Sequence, residues 1–148
     1  MSSPLTLSAN IGTVRLSLVK PSAALDNTPL LTMGFGPETD GTGLPMPPIL
    51  NVVELTNVKK SKCNADLSNI YLNFPVNTGC LGTSSGTKGL CVIDEGGPVL
   101  YMSSSEPTAK IIGVASQSLS CPSEYPSSFT WIYPYIGWIT ATTKRNFT

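Results

Sequence analysis

Turn-forming residues cut this chain into short apolar runs, none of them long enough to make a helix with a buried face. The runs fall at positions 12–19, 29–33, 49–55, 97–102, 110–116 and 128–132, with Pro, Gly, Ser and Thr concentrated between them. This spacing predicts an all-β domain, an antiparallel sandwich or barrel. Several runs are rich in Val, Ile, Leu and Thr, which suit a pleated, half-buried surface better than a helix. Pro4, Pro21, Pro37, Pro45, Pro47 and Pro48 lie between runs, where a missing N–H breaks no ladder.

Two segments depart from the β pattern. Residues 57–63 carry helix-compatible side chains after a Thr or Asn cap, which predicts one short helix near Asn57 to Cys63. Tyr135, Ile136, Trp138 and Ile139 recur at one-, three- and four-residue separations, which predicts a terminal helix near Pro134 to Ala141. Gly137 and the nearby threonines weaken that helix, so packing has to hold it.

With 148 residues the chain suits one domain, burying roughly 68–70 % of its unfolded surface. Only 12 % of residues are charged and the formal net charge is zero, so no basic face is available to a phosphate backbone and no nucleic-acid partner is expected. No stretch approaches the roughly 20 apolar residues of a membrane span, and Met1-Ser2-Ser3-Pro4 opens no signal sequence. Four cysteines fit two disulfides in an extracellular β domain, but the count allows three connectivities and leaves free thiols open. With no His and no Cys-x-x-Cys pair, neither a metal nor a cofactor is expected.

The most specific stretch is Cys91-Val92-Ile93-Asp94-Glu95-Gly96-Gly97-Pro98-Val99, which places a cysteine and an acidic residue ahead of Gly-Gly-Pro. It resembles the nucleophile loop of the trypsin- and chymotrypsin-like serine proteases. Further matches occur in that family's order: Ile111-Ile112-Gly113-Val114-Ala115-Ser116, Cys121, Tyr125-Pro126 and Tyr135-Ile136-Gly137-Trp138-Ile139. Upstream, Met33-Gly34-Phe35-Gly36 resembles the strand end that opens the family's second barrel, and Ser2-Ser3-Pro4-Leu5-Thr6-Leu7 resembles the linker between its two barrels.

The resemblance implies a six-stranded antiparallel Greek-key barrel, the second barrel of that fold, with a short C-terminal helix. It divides residues 1–148 into an inter-barrel linker (1–12), the barrel (13–132) and a terminal helix and tail (133–148), with the first barrel absent. It pairs Cys63 with Cys80 and Cys91 with Cys121, whereas Leu30 and Tyr101 stand where a third bridge is common.

It also implies failed chemistry. The family's reaction needs a serine nucleophile, a histidine base and backbone N–H groups around the oxyanion. Glu95 replaces the serine, and its carboxylate would repel a developing oxyanion. The chain contains no histidine to act as general base. Ile93 replaces a glycine whose N–H faces the oxyanion, and a β-branched residue resists the backbone angles needed there. In a serine protease of another fold, removing serine or histidine alone costs about 10⁶ in rate. Ile93, Asp94, Glu95 and Gly96 are therefore expected to form a degenerate loop with no catalytic residue. Asp94, beside Glu95, is expected to force that loop to rearrange or open to solvent.

The remnant substrate pocket is expected at Gly89, Ser116, Gln117, Ser118 and Ser127. Gly89 at its floor implies no preference for Lys or Arg, and residues 116–118 could still add a peptide by main-chain bonding. Elsewhere, Trp131 and Trp138 are read as core rather than as ligand-stacking aromatics, and Lys59, Lys60 and Lys62 as a solvated face rather than a basic docking patch. Asn146-Phe147-Thr148 satisfies the glycosylation sequon but sits in the tail. A barrel without its usual neighbour exposes apolar surface, so a protein partner or homo-oligomer is expected, and no membrane. Two functional expectations follow: an extracellular, non-catalytic protease homologue serving as binding module, decoy or cofactor, or a fragment of a larger trypsin-like protein.

Overall fold

The computed structural model describes residues 3–39, 46–70, 72–83, 85–119, 121 and 123–147. Met1, Ser2, Pro45 and Thr148, which enter the sequence readings above, lie outside them. In chain order the elements are β1 (Arg15–Leu16), β2 (Pro29–Gly34), β3 (Asn51–Asn57), α1 (Lys60–Ser68), β4 (Thr78–Gly82), β5 (Pro98–Ser103), β6 (Glu106–Gln117), β7 (Ser127–Trp131) and α2 (Ile136–Thr143). Six strands close antiparallel in the order β2-β3-β4-β7-β6-β5 and back to β2. β5 returns beside β2 after three consecutive neighbours, which is the Greek-key connection.

Closure depends on β7, which pairs with β4 on one side and β6 on the other. Phe129 is fully buried at its centre, opposite Gly79 on β4 and Ala115 on β6. A Cβ on either Gly79 or Gly113 would overlap the Phe129 ring, so these glycines leave room for the aromatic. Trp131 meets Phe129 edge to face with centroids 4.5 Å apart, and Leu30, Leu55, Leu81, Val99 and Ile112 complete the core. Trp131 is thus a core residue.

The six predicted runs differ from the six barrel strands in two places. Residues 12–19 contribute only Arg15–Leu16, and that pair lies parallel to β6 outside the closed ring. The strand that replaces it is β4, whose Thr-Gly-Cys-Leu-Gly composition hides it.

α1 begins later than the 57–63 segment suggests and runs to Ser68. Asn57 is held in β3 instead: its N–H donates to Thr28 O at 2.9 Å, and its buried Nδ2 donates to Leu25 O at 2.8 Å. No side chain caps the start of α1. A second small core forms where Cys63 and Leu67 of α1 meet Cys80 of β4, flanked by Val58, Ile70 and Phe74. The Cys63–Cys80 bridge fastens this junction. Each of the two bridges restricts the unfolded chain by roughly 3 kcal/mol.

The terminal helix corrects one expectation. α2 forms after a 3-10 turn at Tyr133–Tyr135, but none of its residues is buried and Trp138 is 68 % exposed. The barrel holds the chain through Ile132, whose N–H donates to Ile112 O at 3.0 Å, and α2 then packs chiefly on the 3-10 turn. No helix among the described residues is long and apolar enough to cross a membrane.

The packing of Phe129 is testable. Gly113→Ala drives a methyl into the ring and should destabilise the protein by about 1–3 kcal/mol. Phe129→Leu added to Gly113→Ala should recover part of that loss, which urea titration of the single and double variants measures.

Candidate functional site

The loop that carries the sequence resemblance is built from two consecutive turns. In the first, the Asp94 N–H donates to Cys91 O at 3.1 Å, with Ile93 at φ +79° in its third position. In the second, the Gly97 N–H donates to Asp94 O at 3.0 Å, with Gly96 at φ +87°. Turns of this kind require positive φ at the third residue. Glycine meets that requirement at 96, whereas β-branched Ile93 is an outlier that costs about 1–2 kcal/mol.

Three ties hold the strained loop in place. The Cys91–Cys121 bridge anchors its start. Its end joins β6 through Gly96 N–H to Ala115 O and Ala115 N–H to Gly97 O, both 2.9 Å. Between them the Asp94 carboxylate turns inward and accepts the Gly36 N–H at 2.8 Å and the Cys91 N–H at 3.0 Å. That approach requires glycine at 34 and 36: a Cβ on Gly36 would stand 2.7 Å from Asp94 Cγ, and one on Gly34 would overlap Asp94 Oδ1.

The neighbouring carboxylates therefore do not share an environment. Asp94 is half-buried in its cradle, while Glu95 is exposed and folds back so that its Oε2 accepts the Ile93 N–H at 2.8 Å. The turn points the two successive side chains in different directions, which keeps the two carboxylates apart. The Ile93 N–H is thereby bound to a carboxylate, by a charge-assisted bond about twice as strong as a neutral one.

A cavity of about 370 Å³ lies beside Asp94, between the β2 and β3 backbones and residues 87–91. Thr32, Gly34, Glu54, Gly89 and Asp94 are among its walls, and the Thr32 hydroxyl is buried there without a partner among the described residues. Of the predicted remnant pocket, only Gly89 faces this space. A Cβ on Gly89 would lie 3.9 Å from Ser127 Oγ, so these two residues are brought together. Ser127 is buried on β7, Ser118 Oγ donates to Leu90 O at 2.5 Å, and Ser116 and Gln117 are exposed on β6. Among the described residues, no cluster of three or more His, Cys, Asp or Glu side chains could hold a metal.

Sequence reasoning did not find the Gly34–Gly36 cradle or the return of Glu95 to Ile93. The Gly-Phe-Gly spacing signals the first, since alternate glycines on a strand leave one face open to a close neighbour. The second has no sequence signal.

No protein-family profile matches the chain. Curated proteins do. Putative trypsin-6 of Homo sapiens is 28 % identical over 147 residues, covering 99 % of this chain and 54 % of the relative. Trypsin of Sus scrofa is 28 % identical over the same share of this chain and 58 % of its own length. The clotting factor G beta subunit of Tachypleus tridentatus is 28 % identical over 127 residues, 81 % of this chain and 40 % of the relative. The chain spans about half the length of these relatives. The closed six-stranded antiparallel barrel, the two disulfides and the near-complete alignment support a C-terminal barrel similar to that of the trypsin-like serine proteases.

The strain at Ile93 predicts an unusual gain. Ile93→Gly relieves about 1–2 kcal/mol of left-handed strain and loses about 0.5–1 kcal/mol to unfolded-state entropy. A higher urea midpoint should result. Ile93→Ala, which keeps the Cβ, should show little of that gain, and equal midpoints for the two variants would disprove the strain.

Proposed function

We propose that this chain is a non-catalytic serine protease homologue that works as a binding module, decoy or cofactor in extracellular proteolysis. The observation that carries the reading is the Glu95 carboxylate, which stands at the nucleophile position and accepts the Ile93 N–H at 2.8 Å. Acyl transfer needs a nucleophile that leaves that N–H to the oxyanion, and a base; this chain contains no imidazole. Two disulfides favour an oxidising, extracellular setting.

The degenerate loop is residues 93–96, and the remnant recognition surface is residues 116–118, of which Ser116 and Gln117 are exposed, with Gly89 and the buried Ser127. Ser116 and Gln117 leave β6 accessible to an extended peptide, which could add by main-chain hydrogen bonds without catalytic residues. A protein partner is supported by the exposed Trp138 of α2 and by Leu5, Leu7 and Val14 near the start of the chain. A second reading, part of a larger trypsin-like protein without independent activity, is favoured by the span of about half the relatives' length.

Exposure to a serine-directed fluorophosphonate and a panel of fluorogenic peptides should give neither labelling nor turnover. Glu95→Ser, alone or with Ile93→Gly, should also remain without turnover, because the base is still missing. Time-dependent labelling of the unaltered chain would overturn the reading. A monodisperse product by size exclusion favours the independent module, and persistent aggregation favours the second reading.

A further inference from the structure

A second cavity, of about 430 Å³, opens where β3 passes into α1. Its size falls within the range of small-molecule sites. Its apolar wall is made by Trp131, Phe74, Val58 and the Cys63–Cys80 bridge. Trp131 is 7 % exposed and fixed by its edge contact with Phe129, and the bridge pins α1 to β4, so these parts of the wall are set by the core.

The charged lining is unbalanced. Lys59 and Lys60 stand against Asp26 alone. Neither lysine has an ion-pair partner among the described residues, whereas the nearby Lys62 pairs with Asp66 at 2.7 Å. Both lysines are exposed, so their ammonium groups can move to meet a ligand without first leaving a buried partner. Asn57, by contrast, already donates its Nδ2 to Leu25 O. A neutral apolar ligand would use the aromatic wall and leave the excess positive charge unanswered. An anion with an apolar body satisfies both features.

From these observations we propose that this cavity binds a small amphipathic carboxylate, with its apolar body against Trp131 and Phe74 and its carboxylate between Lys59 and Lys60. The site is independent of the nucleophile loop and stands whether or not the chain is catalytic.

The test uses the full chain carrying Trp138→Phe, so that Trp131 is the sole fluorophore of the two tryptophans. The probe is 4-phenylbutyrate, with 4-phenyl-1-butanol as its uncharged counterpart. Phenylbutyrate should change Trp131 emission saturably, and the alcohol should bind at least tenfold more weakly. Lys59→Gln with Lys60→Gln should weaken phenylbutyrate at least tenfold while the thermal midpoint stays unchanged, since both side chains are exposed. Asn64→Phe, which places a ring at the cavity wall, should abolish the response. No saturable response, equal affinity for acid and alcohol, or indifference to the lysine substitutions would each overturn the proposal.

Discussion

The burial of Phe129 between two glycine-bearing strands is the constraint on which the rest of the molecule depends. β7 closes the barrel only if it can approach β4 and β6 together, and Gly79 and Gly113 make room for the ring that fills the gap. With β6 fixed, Ala115 is in position to exchange two backbone hydrogen bonds with Gly96 and Gly97. The nucleophile loop is therefore an extension of barrel closure. The Cys91–Cys121 bridge and the Asp94 cradle then fix its other contacts.

That order of dependence explains why a strained residue persists. A left-handed isoleucine survives only where the surroundings outweigh its preference. Ile93 lies between Cys91, bonded covalently to Cys121, and Asp94, whose carboxylate accepts two backbone N–H groups. Those bonds to a charged acceptor contribute about 1.5–3 kcal/mol each, more than the roughly 1–2 kcal/mol of strain. The turn keeps its shape without the glycine that would make it effortless.

Much of the fold was legible: short apolar runs between turn residues left an antiparallel sandwich or barrel, the family resemblance implied the barrel, and helix-compatible segments marked both helices. The exceptions have physical causes. β4 reads as a loop because two of its five residues are glycine, yet Gly79 is small for the sake of Phe129, a partner fifty residues away in sequence that no local pattern records. Residues 12–19 read as a strand, but their apolar side chains find only two parallel pairings, with Lys110 and Ile111. The α2 periodicity was visible, whereas its packing was not: Trp138 has the spacing of a buried residue and is exposed. Periodicity specifies a face and leaves open what covers it. At the site, the identity of Glu95 and the difficulty at Ile93 could be read from position alone. The bond between them depends on a backbone angle and could not.

The same loop also separates two adjacent side chains of one chemical type. Of two adjacent carboxylates, Asp94 acts on the scaffold, joining residues 34–36 to the loop, while Glu95 touches only the N–H two residues before it. The Asp94 bond to Gly36 links segments 58 residues apart, so removing it would loosen the tie between them, whereas the Glu95 contact is local and exposed. A substitution at position 95 can change what the loop does to a carbonyl without disturbing what the loop does for the fold. Ala115 of β6 bonds the backbone of Gly96 and Gly97, and Ser118 just beyond the strand bonds Leu90 O; none of these bonds involves the Glu95 side chain.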